Sequence, residues 1–192
     1  MLTVEPGFAD AVGDSQRCFR GVLDAIARPG RLAVFDMLAS PPAGISPAAA
    51  AILLTLADVD APVWLGTQAA KAAGWIRFHT GASILGAPKL AHFAYASADA
   101  IPDIGELGLG TDEYPDRSTT LIVEVPHLAA DGPLVLRGPG IETSHAAAIV
   151  GLDPDFWTRR ARLHEIFPRG TDCIFVCGSS ALALPRTTRV EV

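Results

Sequence analysis

A chain of 192 residues, 49% hydrophobic and 19% charged, has the composition of a packed globular protein rather than a disordered segment; its length suits one domain, or one domain with an appendage, and a single domain over residues 1–192 is expected. Its formal net charge of −6 argues against a general nucleic-acid or anionic-membrane surface, since either needs a concentrated basic face. The longest near-continuous apolar stretch, Ala48–Ala57, is about half of what spans a bilayer.

Met1–Asp14 lacks the basic and apolar regions of a secretion signal, which together with three cysteines, an odd number, sets the expectation of a reducing, cytoplasmic compartment. Asp14 or Ser15 can cap a helix running to about Ala27, and Phe19, Val22, Leu23 and Ile26 fall at helical spacing, which predicts that they form its buried stripe. Arg20 and Asp24 make an i,i+4 pair. Arg28-Pro29-Gly30 stops the helix and Arg31–Asp36 restarts the chain as a strand.

Ser46-Pro47 opens a second helix to Ala57 that is apolar nearly all round and therefore belongs in the core. Pro62–Gly66 reads as a short buried strand. Ala69–Trp75 reads as a small helix, with Trp75–Thr80 leading out of it. Ala91–Ser97, Ser118–Val125 and Pro133–Arg137 read as strands, and Asp153-Pro154 starts a helix to about Leu163 whose Arg159, Arg160 and Arg162 form a solvated face.

Cys173–Cys177 is an unbroken apolar run rich in strand formers, so it is expected to be a strand buried on both faces. Its two cysteines would point the same way about 13 Å apart, too far to bridge. Gly178-Ser179-Ser180 then turns the chain into a second apolar strand, Ala181–Leu184, which Pro185 ends. Beyond it, alternation would put Arg186, Thr188, Val190 and Val192 on one face, and a polar pair there needs a carboxylate from within or an anion from outside. Strands and helices interleave irregularly, which points to a mixed α/β sheet layered with helices.

Four constellations could carry chemistry. Arg77 and His79 share a face if Arg77-Phe78-His79-Thr80 is extended, a pairing suited to phosphate or carboxylate, with Thr80 beside them. Arg137-Gly138-Pro139-Gly140 follows a strand, as phosphate loops do, though it has neither the lysine of a Walker loop nor the third glycine of a dinucleotide fingerprint. Arg186, Thr187 and Thr188 form the third. Asp58-Val59-Asp60 is the fourth, either a site for a hard cation or a turn closed by its own hydrogen bonds. His92, His127, His145 and His164 show no zinc spacing, and no metal is expected. No nucleophile elbow is present, and catalytic residues stay unassigned.

The tail also carries a resemblance. Phe167-Pro168-Arg169-Gly170-Thr171-Asp172, the strand ending in Cys177-Gly178, and Ala183–Val192 follow a set of upstream motifs in a recognisable order. These include Ala27-Arg28-Pro29-Gly30, Pro62-Val63-Trp64-Leu65, Arg77-Phe78-His79-Thr80, Gly110-Thr111 and Leu136–Ile141. The ordered set, spanning nearly the whole chain, resembles the PhnH family, subunits of the bacterial carbon–phosphorus lyase system. The resemblance implies a three-layer α/β fold with a mixed sheet, similar to the large domain of pyridoxal-phosphate-dependent aminotransferases. It implies a homodimer in isolation and, in the assembled complex, PhnG, PhnI and PhnJ as companions.

The implied role is to support formation of a ribose 1-phosphonate 5-triphosphate from ATP and an alkylphosphonate, without independent turnover. No cofactor is expected: Schiff-base chemistry needs a placed lysine, and neither Lys71 nor Lys89 ends a strand over a Gly-rich loop. The alternative is a free-standing enzyme or binding protein for a phosphorylated small molecule.

Overall fold

The structure, a computed structural model, describes residues 4–38 and 40–192. Met1–Thr3, part of the segment read for a secretion signal, lie outside the described residues.

Its centre is a seven-stranded mixed sheet in the order β1-β9-β8-β5-β4-β2-β3. The strands are β1 (Leu32–Val34), β2 (Val63–Leu65), β3 (Ile84–Leu85), β4 (Phe93–Ser97), β5 (Thr120–Glu124), β8 (Asp172–Cys177) and β9 (Ser180–Leu184). From β3 to β8 the neighbours are parallel, while β9 runs antiparallel to both β8 and β1. A second sheet of three strands, β6 (His127–Arg137), β7 (His145–Val150) and β10 (Arg189–Glu191), lies in the order β10-β6-β7.

Alternation along the central strands sends side chains into two separate cores. Ile122 of β5, Ile174 and Val176 of β8, and Ala181 and Ala183 of β9 face the helices α1 (Ala11–Ala27), α2 (Pro47–Leu56) and α3 (Ala73–Thr80). Leu121, Val123, Cys173, Phe175, Leu182 and Leu184 face the other way, against the small sheet and α4 (Asp155–Leu163). The alanines of β9 leave room for α1 to pack closely, and its small buried residues Cys18 and Ala25 meet them in the same core. The molecule thus has three layers. One outer layer is helical, and the other is the small sheet with α4 rather than the second layer of helices that interleaving suggested.

Several local expectations are corrected. The cap of α1 is Asp10, whose side chain accepts from Gly13 N at 3.0 Å, while Asp14 is buried and accepts from Asp10 N at 3.1 Å. The buried stripe runs through Asp14, Cys18, Val22 and Ala25, leaving Phe19 47% and Leu23 52% exposed. The helix turns its small residues to the sheet because bulkier ones would hold it away. Asp24 pairs with Arg28 rather than Arg20, the acid-before-base order that helices favour.

Ser46 and Pro47 open α2 as expected, and Ala48–Leu53 are all buried. A 3₁₀ turn over Thr67–Ala72 precedes α3, which begins at Ala73 and takes in the Trp75–Thr80 segment expected to lead out of the helix. Strands β3 and β7 had no counterpart in the sequence reading, and β6 starts six residues before Pro133.

The hairpin forms as read, with Gly178-Ser179 as a two-residue loop and Gly178 at φ +59°. The alternation expected after Pro185 does not occur. Pro185–Thr188 is a turn closed by Thr188 N–H donating to Pro185 O at 2.9 Å, and it carries the chain out of the central sheet into β10.

Candidate functional site

The four constellations of the sequence do not come together. Arg77, His79 and Thr80 lie on α3, in the helical layer; Arg137, Gly138, Thr187 and Thr188 lie on the opposite side of the central sheet.

Since α3 is helical, Arg77 and His79 point about 200° apart around its axis and cannot grip one anion. His79 instead stacks edge-on with Trp75, ring centroids 5.0 Å apart, and both bond one carbonyl: Trp75 Nε1–H donates to Glu5 O at 2.8 Å and His79 Nε2 lies 3.0 Å from it. Thr80 Oγ1–H donates to Ile76 O and Oγ1 accepts from Ala82 N, closing the helix. Arg77 is exposed on the helix surface, while His79 and Thr80 have structural roles. Asp58 resolves the same way: its Oδ1 accepts from the N–H groups of Asp60 and Ala61, and no group of three potential ligands gathers among the described residues.

Gly138 and Gly140 are explained by close approach rather than by an anion nest. Gly138, at φ +138°, has Thr187 O 2.8 Å from where a Cβ would stand. Gly140, at φ +83°, has Ala27 O 2.2 Å from that point, so the loop lies directly on the carboxyl end of α1. Arg137 donates to Glu191 Oε1 and Thr143 O across the small sheet.

Arg186 finds its carboxylate within the protein. Its Nε and Nη2 both donate to Asp172, Nη1 donates to Pro115 O and Pro168 O, and Nη2 also reaches Ser118 Oγ at 2.6 Å. All five N–H groups of the guanidinium are thereby used, so Arg186 is no anion receptor.

What the register of β10 on β6 does assemble is a cleft on the α4 side of the small sheet. Arg189 pairs with Arg137, and the turn before it brings Thr187 against Gly138. Two hollows meet there, sharing His164 and Arg189 as their common wall. The outer one, about 400 Å³, is bounded by Gly138, Pro139, Phe167 and Thr187. The inner one, about 280 Å³, runs between α4 and β10 and is bounded by Trp157, Arg160, Thr188, Val190 and Glu191.

The electrostatics of this cleft is cationic. Among the described residues neither Arg189 nor Arg160 pairs with a carboxylate. Arg160, expected in solvent, is only 7% exposed. It donates to Thr188 O, Leu184 O and Pro185 O, tying α4 to the end of β9. Sequence could have found it: Phe156, Arg160 and Leu163 stand at i, i+4 and i+7, which places the arginine inside the apolar stripe. Burial raises the Cys173 thiol beside it, and the Arg160 charge pulls in the other direction.

The hydrogen bonds of His164 fix its tautomer. Nδ1 lies 3.0 Å from Arg186 O, which can only accept, so Nδ1 carries the proton; Nε2 then accepts from Arg189 Nε–H at 3.2 Å. The imidazole therefore orients Arg189 while leaving its terminal nitrogens without a protein acceptor among the described residues.

A second groove of about 560 Å³ lies at the carboxyl ends of β4, β5 and β8, where open α/β sheets commonly bind ligands, with Ser97, Asp99, Glu124 and Cys177 set among the apolar Ala98, Val125 and Pro126. There Tyr95 O–H donates to Glu124 Oε2 at 2.9 Å. Burial lifts the Glu124 carboxyl above its usual range, and burial with the adjacent Glu124 charge lifts the Tyr95 phenol.

Known proteins supply the context for this geometry. The family model described as bacterial phosphonate metabolism protein (PhnH) matches residues 6–191. The chain is 43% identical over 187 residues to the α-D-ribose 1-methylphosphonate 5-triphosphate synthase subunit PhnH of Rhizobium meliloti (strain 1021), covering 96% of this chain and 94% of that protein. It is also 34% identical over 84 residues to HtxG of Stutzerimonas stutzeri, named as a candidate C-P lyase subunit, covering 44% of this chain and 43% of that one. On the extent of these matches, the chain belongs to the PhnH family of bacterial phosphonate metabolism proteins.

Proposed function

We propose that this chain serves as a subunit of the assembly that forms a ribose 1-phosphonate 5-triphosphate from ATP and an alkylphosphonate during phosphonate catabolism. The observation that carries the reading is the 43% identity to a synthase subunit across 96% of the chain. The cleft between α4 and β10 agrees with it, because Arg189 has no carboxylate partner among the described residues and its terminal nitrogens stand open there to an incoming anion.

The subunit works with PhnG, PhnI and PhnJ and forms a homodimer by itself. Support for self-association comes from the edge strand β1, where Leu32 is 39% and Val34 65% exposed, beside the uncovered Phe19 and Leu23 of α1. Among the described residues no helix is long and apolar enough to cross a membrane, and all three cysteines are unpaired thiols, which supports a cytoplasmic setting. The seven-stranded mixed sheet, backed on one face by α1, α2 and α3, supports the proposed likeness to the aminotransferase large domain.

Growth tests the role directly. A strain lacking this chain is expected to stop growing on methylphosphonate as sole phosphorus source and to recover when the chain is restored. A tagged copy from phosphate-starved cells is expected to bring the companion subunits with it. Normal growth of the deletion strain on methylphosphonate would sink the reading.

A further inference from the structure

We propose that the open edge of β7 docks an extended segment of a companion protein, which sets a basic side chain beside Val150. Four strands end a sheet in this molecule: β1, β3, β7 and β10. Three of them are only two or three residues long and offer little backbone to a further strand. β7, at six residues, is the long one, and it pairs with β6 alone. Among the described residues no backbone hydrogen bond from outside that ladder reaches it.

Proteins blunt a long edge with lysine, proline or a bulge, because its free N–H and C=O groups invite another chain. His145-Ala146-Ala147-Ala148-Ile149-Val150 has no lysine, arginine, acid or proline. The register shift of this hairpin puts its extra residues in β6, so β7 itself carries no bulge. Ala146 is exposed and Val150 is 48% exposed. Such an edge is satisfied as a row only by another extended backbone, and six residues present about 20 Å of it.

The charge of the segment follows from where the edge ends. Val150 leads into Gly151, which lines the groove of about 560 Å³ beyond β4 and β5. The charged residues of that groove are Asp99 and Glu124, with no lysine or arginine among them. Glu124 is engaged with Tyr95, whereas Asp99 is exposed and in no ion pair among the described residues. Ala98, Val125 and Pro126 give apolar contact to the stem of a long basic side chain whose head meets Asp99. Charge also separates a companion from a second copy of this chain. Antiparallel pairing of β7 with itself brings the His145 end of one copy to the Val150 end of the other, and carries the exposed Glu142 toward Asp99. Like charges there disfavour the self-pair. The choice of companion subunits as the probe rests on the subunit reading above; the docking edge itself rests on β7 and Asp99.

Hydrogen exchange tests this on the full-length chain, alone and in the assembly captured with a tagged copy from phosphate-starved cells. The amides of His145–Val150 are expected to exchange at least about tenfold more slowly in the assembly. Ala146→Lys combined with Val150→Lys places charges at two exposed positions, and is expected to keep the melting temperature of the parent while weakening capture of the companions about tenfold. Asp99→Lys is expected to weaken it about fivefold, and Arg77→Gln, on the helical layer, to leave it unchanged. A photo-reactive benzoylphenylalanine in place of Val150 is expected to cross-link to a companion. An assembly in which His145–Val150 exchanges as fast as in the chain alone overturns the docking edge, as does a folded double-lysine variant that captures companions like the parent. Full capture by Asp99→Lys overturns the basic side chain, and a cross-link to a second copy overturns the choice of occupant. These outcomes leave the subunit reading standing; a parent chain that captures no companion overturns that reading and this inference with it.

Discussion

Arg186 and Asp172 are joined at three points: Arg186 N–H and Nε–H both donate to Asp172 Oδ1, and Nη2–H donates to Oδ2 at 2.6 Å. The pair joins the first residue of β8 to the turn that follows β9, and the rest of the guanidinium ties in Pro115, Ser118 and Pro168. Removing one member of a mostly buried pair leaves the other charge stranded. Arg186→Ala is therefore expected to lower unfolding stability by about 3 kcal/mol in urea titrations. Arg186→Lys is expected to recover little of it, since an ammonium cannot bridge a carboxylate, two carbonyls and a hydroxyl at once.

Glu124 gives a pH dependence whose sign can be worked out. Its folded-state carboxyl is raised by burial, so over the window just above the unfolded value of 4.5 the folded protein holds a proton that the unfolded chain has lost. Stability contributed by this group is then full below 4.5 and declines as pH rises through the folded value. Glu124→Gln keeps an acceptor for Tyr95 O–H and removes the titration. Compared with the parent, it is expected to flatten the loss of stability between acid and neutral pH, measured by thermal melts across that range. Identical pH profiles for the two proteins would count against a raised Glu124.

The thiols should separate by burial. Cys18 is buried, and desolvation pushes it up to about 11, with a weaker opposing bond from Thr55. Cys173 is raised by burial as well, while Cys177 is partly exposed. In the native protein at pH 8, one thiol is expected to react promptly with a disulfide reagent, and two more only after unfolding. Mass mapping should place the fast label on Cys177.

Gly140 offers a steric test. A methyl group there would meet Ala27 O at 2.2 Å in a backbone conformation that disfavours side chains. Gly140→Ala is expected to cost about 2 kcal/mol or more, whereas an alanine at Gly74, which has nothing within 4 Å, should help α3 slightly. Chemical denaturation of both variants checks the contrast.

How far the sequence could be read depended on whether local pattern and tertiary setting agreed. Cys173–Leu184 was legible because a run of strand formers, a glycine turn and a second apolar run each point to a buried hairpin. Ser46-Pro47 was legible for the same reason. Strand β7 was not, since Ala146, Ala147 and Ala148 have little strand preference and are held there by β6 on one side. The stripe of α1 misled because hydrophobicity marked Phe19 and Leu23, while the close-packed sheet selected Cys18 and Ala25.

The candidate site was half legible. Thr187 and Thr188 were marked, and they do line the cleft, but Arg186 stood out only because the tail looked extended. Once the turn at Pro185–Thr188 is in place, Arg186 faces inward and Arg189 takes the open position. Arg160 and His164 come from a helix about 25 residues upstream, and nothing short-range relates them to β10.

The placement of β8 has a consequence for how the chain acquires its fold. This strand is central to the sheet, yet it is among the last made: β5 must wait some 50 residues for its neighbour, and β1 about 150 for β9. A ribosome-bound chain would therefore carry an open β1 edge through most of its synthesis and an open β5 edge through about a quarter of it. Partly made copies, rather than the finished domain, are then the aggregation-exposed species.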